Sequence, residues 1–286
     1  MPRSGKYPTR CAAFGGNTRN NPMPLSKAKL KELRALATMK SREENARFMI
    51  EGIRMMQEAV DSDHTIVEAY YTSDVLDDGS GRALIEKLKK KSGHTEQVSS
   101  RDVAAIASTV TAQGVVAVIA QKRSTEESVL KKGHAPSIVV AVDSVADPGN
   151  LGSIVRTCDW FGVQGILLGQ NSVDVYNPKV LRSTMGGIFH IPVVEDVDLL
   201  PALSKAKVFG YRVYATDSSG EAHFDRVRFA HKSVIVFGNE AWGVSDQIKQ
   251  LADERIAIRR YGAAESLNVG VACGIVLSGV HRLYDE

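Results

Sequence analysis

The chain has 286 residues, 43% hydrophobic and 24% charged, a composition typical of a soluble globular protein with one large domain or two ordinary ones. It lacks an apolar run of the roughly 20 residues that a membrane span requires, and its N-terminus lacks the apolar core of a secretory signal, so we expect a cytoplasmic protein. The three cysteines, Cys11, Cys158 and Cys273, are far apart and odd in number, which argues against a disulfide framework or a zinc site.

Positive charge is concentrated at the N-terminus. The formal net charge is only +3, but the first 31 residues contain seven lysines and arginines and no acidic residue. Residues 1–24 have the Gly, Asn and Pro content of a flexible basic arm. Contact with a nucleic acid and simple solvation both remain open for this arm.

Strand-like and helical segments alternate after the arm, which predicts an α/β domain over residues 25–120. The segment SKAKLKELRALATMKSREEN is interpreted as one basic amphipathic helix. Ser41 with Glu44 has the spacing of a capping box, and the alternative is that the pair closes a turn before the next strand-like run. The predicted strands are RFMIEG, IVEAYYTS, TEQVSS and GVVAVIAQ, and the predicted helices between them are IRMMQEAVDSD, SGRALIEKLKKKSG and RDVAAIAST. Residues 121–137 are polar and lack apolar periodicity, which predicts a linker.

A second alternation of strands and helices predicts another α/β domain over residues 138–286. Its predicted strands are SIVVAVDSV, GILLG, RVYATDSS, SVIVFGNE and RIAIRR, and its last helix lies in SLNVGVACGIVLSGVHRLYD. The nearly continuous Val and Ile runs favour a parallel sheet covered on both faces.

The segment DPGNLGSIVRT follows the first strand of this domain and has the features of a helix start. Asn150 is a preferred N-cap, so we expect the helix to begin at Leu151. The apolar spacing predicts one buried stripe, made of Leu151, Ile154, Val155 and Cys158.

Arg156 lies off that stripe, and helical side chains lean toward the N-terminus of their helix. Its stem should therefore cross Ser153 and Gly152, and the glycine leaves that path open. The guanidinium would then lie at the helix N-terminus, where backbone N–H groups already favour an anion such as phosphate. The alternative is a surface ion pair between Arg156 and one of three nearby aspartates, Asp143, Asp147 or Asp159.

Two later segments also end strands with polar or small residues. VIVFGNEAWGVS supplies Gly238, Asn239, Glu240 and Gly243 at a strand's carboxyl end, where open α/β sheets bind ligands. IAIRRYGAAESLNVGVACGIVLSGV supplies a loop and then a helix rich in small residues, which permits close packing against a neighbouring backbone.

In this order and at these separations, DPGNLGSIVRT, FGNEAWGVS and SLNVGVACGIVL resemble the three motifs of the SpoU (TrmH) branch of the SPOUT RNA 2′-O-ribose methyltransferases. The resemblance covers roughly residues 137–286. Upstream, RFMIEGIRMMQEAV and STVTAQGVVAVIA resemble the ribosomal-protein-like α/β substrate-binding domain of rRNA-modifying members. The resemblance implies a parallel sheet with a deep C-terminal trefoil knot that binds S-adenosylmethionine.

The resemblance also implies roles for individual residues. Backbone groups around Gly238, Ile258 and Leu267 should hold the adenine and ribose of S-adenosylmethionine, with Asn239 close by. Thr184 and Gly186 should line the same cavity.

The implied catalytic set is centred on Arg156, which would fix an RNA phosphate beside the attacking ribose hydroxyl. Asn150 would orient Arg156 or the ribose, and Glu240 would restrain this cluster, with Ser266 and Asn268 nearby. No metal is needed for this chemistry. The resemblance further implies a homodimer, built around the first and last helices of the second domain, in which Arg156 lies near the partner's cofactor.

Two departures from the family pattern lie in the third motif. Ala257 stands where the family usually has a proline, and RRYGAA replaces a short polar loop. Both bear on cofactor affinity or loop order, and neither removes a catalytic side chain.

We therefore expect an S-adenosylmethionine-dependent RNA 2′-O-ribose methyltransferase that acts on large-subunit (23S) rRNA. A tRNA 2′-O-methyltransferase and a catalytically silent RNA-binding protein on the same fold remain as alternatives. A dinucleotide-dependent oxidoreductase is excluded because no G-x-G-x-x-G follows a strand. A metal-dependent hydrolase is disfavoured because the seven histidines are scattered without ligand spacing.

Overall fold

The structure is a computed structural model that describes residues 24–109, 112–131, 136–220 and 222–285. The predicted arm and Cys11 lie outside these ranges, except for the last residue of the arm. Within them the chain forms two sheets with helices packed on both.

The first domain contains a four-stranded mixed sheet in the order β1-β4-β2-β3. Strand β4 pairs antiparallel with β1 and β2, whereas β3 pairs parallel with β2. The strands are β1 (Arg47–Glu51), β2 (Ile66–Tyr71), β3 (His94–Gln97) and β4 (Val115–Ala120). The helices are α1 (Lys27–Ala35), α2 (Met39–Asn45), α3 (Ile53–Asp61), α4 (Gly79–Lys91) and α5 (Ser100–Ile106).

The basic segment predicted as a single helix is two helices, because the helical conformation is interrupted between Ala35 and Met39. Thr38 is the N-cap of α2, and its hydroxyl accepts a hydrogen bond from the Ser41 backbone N–H at 3.4 Å. The predicted Ser41–Glu44 capping box is therefore wrong, since both residues lie inside α2. The break matters for the packing, because it lets Leu33 and Arg42 both point into the protein, with 1% and 3% of their surface exposed.

The predicted linker is not wholly irregular, because it contains helix α6 (Glu126–Lys131). Val129 and Leu130 of this helix are fully buried in the core of the second domain. The apolar pair is too short to give a periodic signal in the sequence, and only its packing partners reveal it.

The second domain contains a seven-stranded sheet in the order β7-β6-β5-β10-β8-β11-β9, in which every pairing is parallel. The predicted parallel sheet is confirmed. Its strands are β5 (Ser137–Val142), β6 (Gly165–Gly169), β7 (Val193–Val197), β8 (Arg212–Thr216), β9 (Ala222–His223), β10 (Lys232–Phe237) and β11 (Glu254–Ala257). Its remaining helices are α7 (Pro148–Trp160), α8 (Pro178–Thr184), α9 (Leu199–Val208), α10 (Asp246–Leu251) and α11 (Val269–Asp285).

Burial explains which strands the sequence predicts. All six residues of β5 are buried, so that its apolar run is uninterrupted. The prediction missed β7 and β9. Two exposed acidic residues interrupt β7, and β9 is only two residues long.

The two domains share one hydrophobic cluster, which runs from the first sheet to the helices on the second. At the boundary the rings of Phe48 and Tyr176 lie with their centroids 4.6 Å apart. Arg42 of α2 forms a buried ion pair with Asp174 of the second domain. None of the helices in the described ranges is long and apolar enough to cross a membrane.

Candidate active site

Helix α7 begins three residues earlier than the sequence suggested. Its N-cap is Asp147, whose carboxylate accepts a hydrogen bond from the Asn150 backbone N–H at 2.9 Å, and Pro148 occupies the first turn. The prediction of Asn150 as N-cap is therefore wrong. Asp followed by Pro is itself an N-cap and N1 signature, so the sequence held the signal that this interpretation missed.

The earlier start frees the Asn150 side chain from capping and turns it toward two other segments. Its amide nitrogen donates to the Glu240 carboxylate at 2.6 Å, and its amide oxygen accepts from the Asn268 amide nitrogen at 2.7 Å. Three predicted site residues are thus joined in one chain of hydrogen bonds, although 90 and 118 residues separate Asn150 from its two partners in the sequence.

Asn268 also fixes the start of α11. Its side-chain oxygen accepts hydrogen bonds from the backbone N–H groups of Gly270 and Val271, at 3.0 and 3.2 Å. A Cβ at Gly270 would lie 3.1 Å from the Ser153 Cβ, so the glycine permits α11 to approach α7 closely. The start of α11 is therefore placed at the start of α7 by both packing and hydrogen bonding.

The predicted apolar stripe of α7 is confirmed, since Leu151, Ile154, Val155 and Cys158 are all fully buried. Cys158 lies against Cys273 of α11, and both are free thiols. Burial raises the pKa of Cys158 well above its usual range, which keeps this thiol protonated and unreactive.

Gly152 has a different purpose from the one inferred from sequence. It is buried, and a Cβ there would lie 2.3 Å from the Ser183 Cβ and 2.7 Å from the Val180 carbonyl oxygen of α8. The glycine therefore allows α7 and α8 to pack in contact. The expectation that it clears a path for Arg156 is wrong, because α8 occupies that side of the helix.

Arg156 is exposed, donates no hydrogen bond and forms no ion pair with any residue that the structure describes. The aspartates considered as its partners are engaged elsewhere. Asp143 accepts from the Ser245 backbone at 2.8 Å, Asp147 caps α7, and Asp159 contacts His190 at 3.0 Å. The guanidinium is available for a ligand.

The loop after β10 is a tight turn closed on itself. Asn239 and Gly243 form an isolated antiparallel bridge, and a Cβ at Gly238 would lie 2.1 Å from the Gly243 carbonyl carbon. The Asn239 amide donates to the Ser144 carbonyl oxygen at 2.7 Å. This bond ties the turn to the loop after β5 and holds Glu240 beside Asn150.

The loop after β11 is the second segment that the sequence predicts to hold the cofactor. From Ile258 to Leu267 the backbone makes no hydrogen bond to any described residue, and every residue from 259 to 268 is exposed. Leu267 and Ser266 lie in this stretch, and half of Leu267 is accessible to solvent. Free N–H and C=O groups can hydrogen-bond an adenine and a ribose, and the exposed Leu267 side chain can contact the base. The Glu240 carboxylate can attract the positive charge of a sulfonium.

Thr184 and Gly186 lie in a different environment from the other predicted cofactor residues. The Thr184 hydroxyl donates to the Leu181 carbonyl oxygen at 2.7 Å, and the side chain is buried. A Cβ at Gly186 would lie 2.4 Å from Cγ of Glu58, which belongs to α3 of the first domain. The Glu58 contact places Gly186 at the domain boundary, and the cofactor role of both residues stays a prediction.

Comparison with known proteins agrees with this geometry. The SpoU rRNA Methylase family matches residues 137–278, and the MRM3-like substrate binding domain matches residues 27–117. A Bacillus subtilis protein named 23S rRNA (guanosine(2553)-2'-O)-methyltransferase RlmP is 30% identical over 87% of this chain and 94% of its own. The chain belongs to the SpoU rRNA methylase family.

Two further relatives cover nearly the whole of this SpoU family member. A Synechocystis protein named as an uncharacterized tRNA/rRNA methyltransferase is 30% identical over 88% of this chain and 90% of its own. The crystal structure of an AdoMet-bound rRNA methyltransferase from Sinorhizobium meliloti superposes with a TM-score of 0.80 at 28% identity. That match covers 90% of this chain and 95% of the other, so the two-domain arrangement is shared.

Proposed function

We propose that this SpoU family member transfers a methyl group from S-adenosylmethionine to a ribose 2′-hydroxyl of RNA, with large-subunit rRNA as the substrate. The observation that carries the proposal is the chain of hydrogen bonds from Glu240 through Asn150 to Asn268, six residues before the unpaired Arg156 on the same helix. Three segments distant in sequence supply this cluster. A structural role alone does not call for an exposed guanidinium without a partner.

Arg156 binds the substrate in this proposal. A guanidinium holds a phosphate through two parallel hydrogen bonds, and it remains charged at any physiological pH. With the phosphate fixed beside the ribose, a phosphate oxygen can accept the proton of the 2′-hydroxyl, and the guanidinium stabilises the charge that develops on the attacking oxygen.

Asn150 and Glu240 act as positioning residues. Each hydrogen bond of the Asn150 amide fixes one orientation of that side chain, so the donor and acceptor ends cannot exchange. The Glu240 carboxylate faces the same space and would offset the positive charge of the methyl donor. Much of the rate enhancement would then come from holding the two substrates in line.

The cofactor would be held by Gly238 and Asn239 in one loop and by Ile258, Leu267 and Ser266 in the other. When bound, S-adenosylmethionine supplies an activated methyl group on a sulfonium. The free backbone groups of residues 258–267 would recognise its adenine and ribose. Thr184 and Gly186 are retained here only as predicted lining residues.

The choice of rRNA is supported by the name of the Bacillus relative and by the substrate-binding domain that precedes the catalytic one. The decisive experiment is to map 2′-O-methyl marks on rRNA and tRNA from cells with and without the gene. A mark on 23S rRNA that disappears with the gene would support the proposal. A lost tRNA mark would redirect it to tRNA, and no lost mark would favour the silent RNA-binding protein.

We further propose a homodimer formed around α7 and α11, which completes each site with the partner's Arg156. Trp160, one turn beyond Arg156, is 84% exposed, and Val271 of α11 is 52% exposed, so both helices present apolar surface. Light scattering of the purified protein at several concentrations tests the dimer. The family's deep trefoil knot is a related expectation, supported by the return of the chain after β11 to contact α7.

A further inference from the structure

A cavity of about 610 Å³ lies between the two domains, away from the residues proposed for catalysis. One wall consists of α2 and residues 121–124, and the other consists of the loop after β6 together with β7. Its volume is within the roughly 300–1,000 Å³ typical of small-ligand sites. The cavity exists only because the substrate-binding domain and the catalytic domain are packed together.

Buried contacts across the domain boundary hold this cavity open. The Arg42 guanidinium pairs with the Asp174 carboxylate and also donates to the Leu36 carbonyl oxygen at 2.9 Å. Asp174 in turn accepts a hydrogen bond from the Tyr176 backbone N–H at 2.7 Å. Since these groups are largely buried and mutually bonded, the walls are fixed and the cavity is preformed.

The catalytic-domain wall carries hydrogen-bonding groups that lack partners. One carboxylate oxygen of Glu195 accepts from the Val175 backbone N–H at 3.3 Å, and the other makes no hydrogen bond to a described residue. The buried hydroxyl of Ser172 also has no partner among the described residues. Part of the Glu195 side chain is open to solvent, but the residue lines the cavity wall. Partial withdrawal of its carboxylate from water, followed by the nearby Asp174, raises the pKa of Glu195 to about 7. Arg42 and Glu43 also act on this carboxylate, in opposite directions.

The opposite wall carries three basic side chains, Arg42, Lys122 and Arg123, and one acidic side chain, Glu43. Arg123 lines the cavity, is exposed, and makes no hydrogen bond or ion pair with any residue in the described ranges. Its neighbour Lys122 also lines the cavity and pairs with Asp63 at 2.6 Å. An acceptor-rich wall therefore faces an unpaired guanidinium.

A nucleotide has the complementary arrangement, because its phosphate is anionic and its base edge carries N–H donors. We propose that this cavity binds one unpaired nucleotide of the substrate RNA, whose base donates to Glu195 while Arg123 contacts its phosphate. This inference rests on the proposed function, and it concerns a nucleotide other than the one methylated.

The position of the cavity relative to the active site gives the contact a purpose. Both lie at the carboxyl edge of the parallel sheet, where β5 and β6 end. The loop after β6 is joined to the segment before α7 by the Val173 backbone N–H, which donates to the Val145 carbonyl oxygen at 2.9 Å. A nucleotide bound here would be held at a fixed distance from Asn150 and Arg156, which sets the register of the RNA.

Two substitutions test the proposal in the full-length protein with S-adenosylmethionine and deproteinised rRNA. Glu195→Gln keeps the shape and removes the charged acceptor, and Arg123→Ala removes an exposed side chain that no fold contact needs. We expect each to raise the KM for RNA roughly tenfold, the equivalent of about 1.4 kcal/mol, with kcat at saturating RNA unchanged. The matched controls, Glu254→Gln and Arg226→Ala, lie toward the opposite edge of the sheet and should leave KM unchanged.

Chemical footprinting identifies the base. Kethoxal modifies free guanine, and dimethyl sulfate modifies free adenine and cytosine. The wild-type protein should protect one unpaired base outside the methylated nucleotide. With Glu195→Gln this base should become reactive, while the protection of all other bases stays the same. An unchanged KM in both variants would overturn the inference. So would a raised KM with an unchanged footprint, because that result assigns the two residues to general electrostatic attraction.

The inference and the proposed function can fail separately. If the wild-type protein transfers no methyl group to any RNA, the proposed function fails and the inference falls with it. If the wild type methylates RNA and the variants match it in KM and footprint, only the inference fails. Should Glu195→Gln not fold, Arg123→Ala gives the same decision.

Discussion

Removal of the Arg156 guanidinium separates a catalytic role from a structural one, because the structure gives this side chain no partner to lose. Arg156 is exposed and makes no hydrogen bond or ion pair within the described residues. Arg156→Ala should therefore change the free energy of unfolding by less than about 0.5 kcal/mol, as is usual for surface positions.

The expected effect on catalysis is much larger. A bidentate phosphate contact consists of two charge-assisted hydrogen bonds, each contributing about 1.5–3 kcal/mol. Their loss from the transition state would lower kcat/KM by roughly 10²- to 10⁴-fold, since each 1.4 kcal/mol is a factor of ten. Arg156→Lys keeps the charge but not the planar fork, so its activity should fall between the two.

Transfer of a radiolabelled methyl group to rRNA measures the activity, calorimetry measures S-adenosylmethionine binding, and thermal unfolding measures stability. Arg226→Ala is the matched control, because it removes an exposed arginine to which no role in the site is assigned. A variant that keeps more than a third of the wild-type kcat/KM would refute the assigned role. A loss of cofactor affinity equal to the loss of activity would also refute it, because Arg156 would then act on cofactor binding.

Three further predictions follow from contacts within the site and its supports. Asn150→Ala removes two side-chain hydrogen bonds and should lower the unfolding free energy by about 1–3 kcal/mol and methyl transfer at least tenfold. Gly152→Ala places a methyl group 2.3 Å from the Ser183 Cβ of α8. It should lower the free energy of unfolding by about 1–3 kcal/mol, as measured by thermal unfolding. The matched Gly274→Ala meets its nearest neighbour only at 3.8 Å and should be neutral or slightly stabilising. The pKa of Glu195 is about 7 in the folded state, against an ordinary value of 4.5. Between these two pH values the folded protein binds a proton that the unfolded chain releases, so the free energy of unfolding should decrease as the pH rises from about 4.5 to 7. Glu195→Gln should remove that component of the slope.

Each of these has a contrary outcome. Full methyl transfer by Asn150→Ala would show that the hydrogen-bonded chain is incidental. Equal stability of the two glycine variants would mean that α7 and α8 are not in contact as described. An identical pH profile of unfolding in wild type and Glu195→Gln would show that this carboxylate does not titrate with a raised pKa.

Local patterns in the sequence predicted most of the strands and helices and pointed to the candidate site residues. Uninterrupted Val and Ile runs indicated β5 and β10 because both strands are buried on two faces, and the spacing from Leu151 to Cys158 indicated the buried face of α7. Each of these signals depends only on neighbours within a few residues, which is why a single sequence reveals it. The short elements α6 and β9 were not predicted, because each has too few residues to form a local pattern.

Only the tertiary structure decided which of those residues meet. Asn150 contacts Glu240 and Asn268 because the strand order brings the loops after β5 and β10 together and the chain after β11 returns to α7. The role of Gly152 depends on a helix some thirty residues away, and the cavity beside Glu195 depends on how two domains pack. Such contacts join positions distant in sequence, and no local periodicity records them.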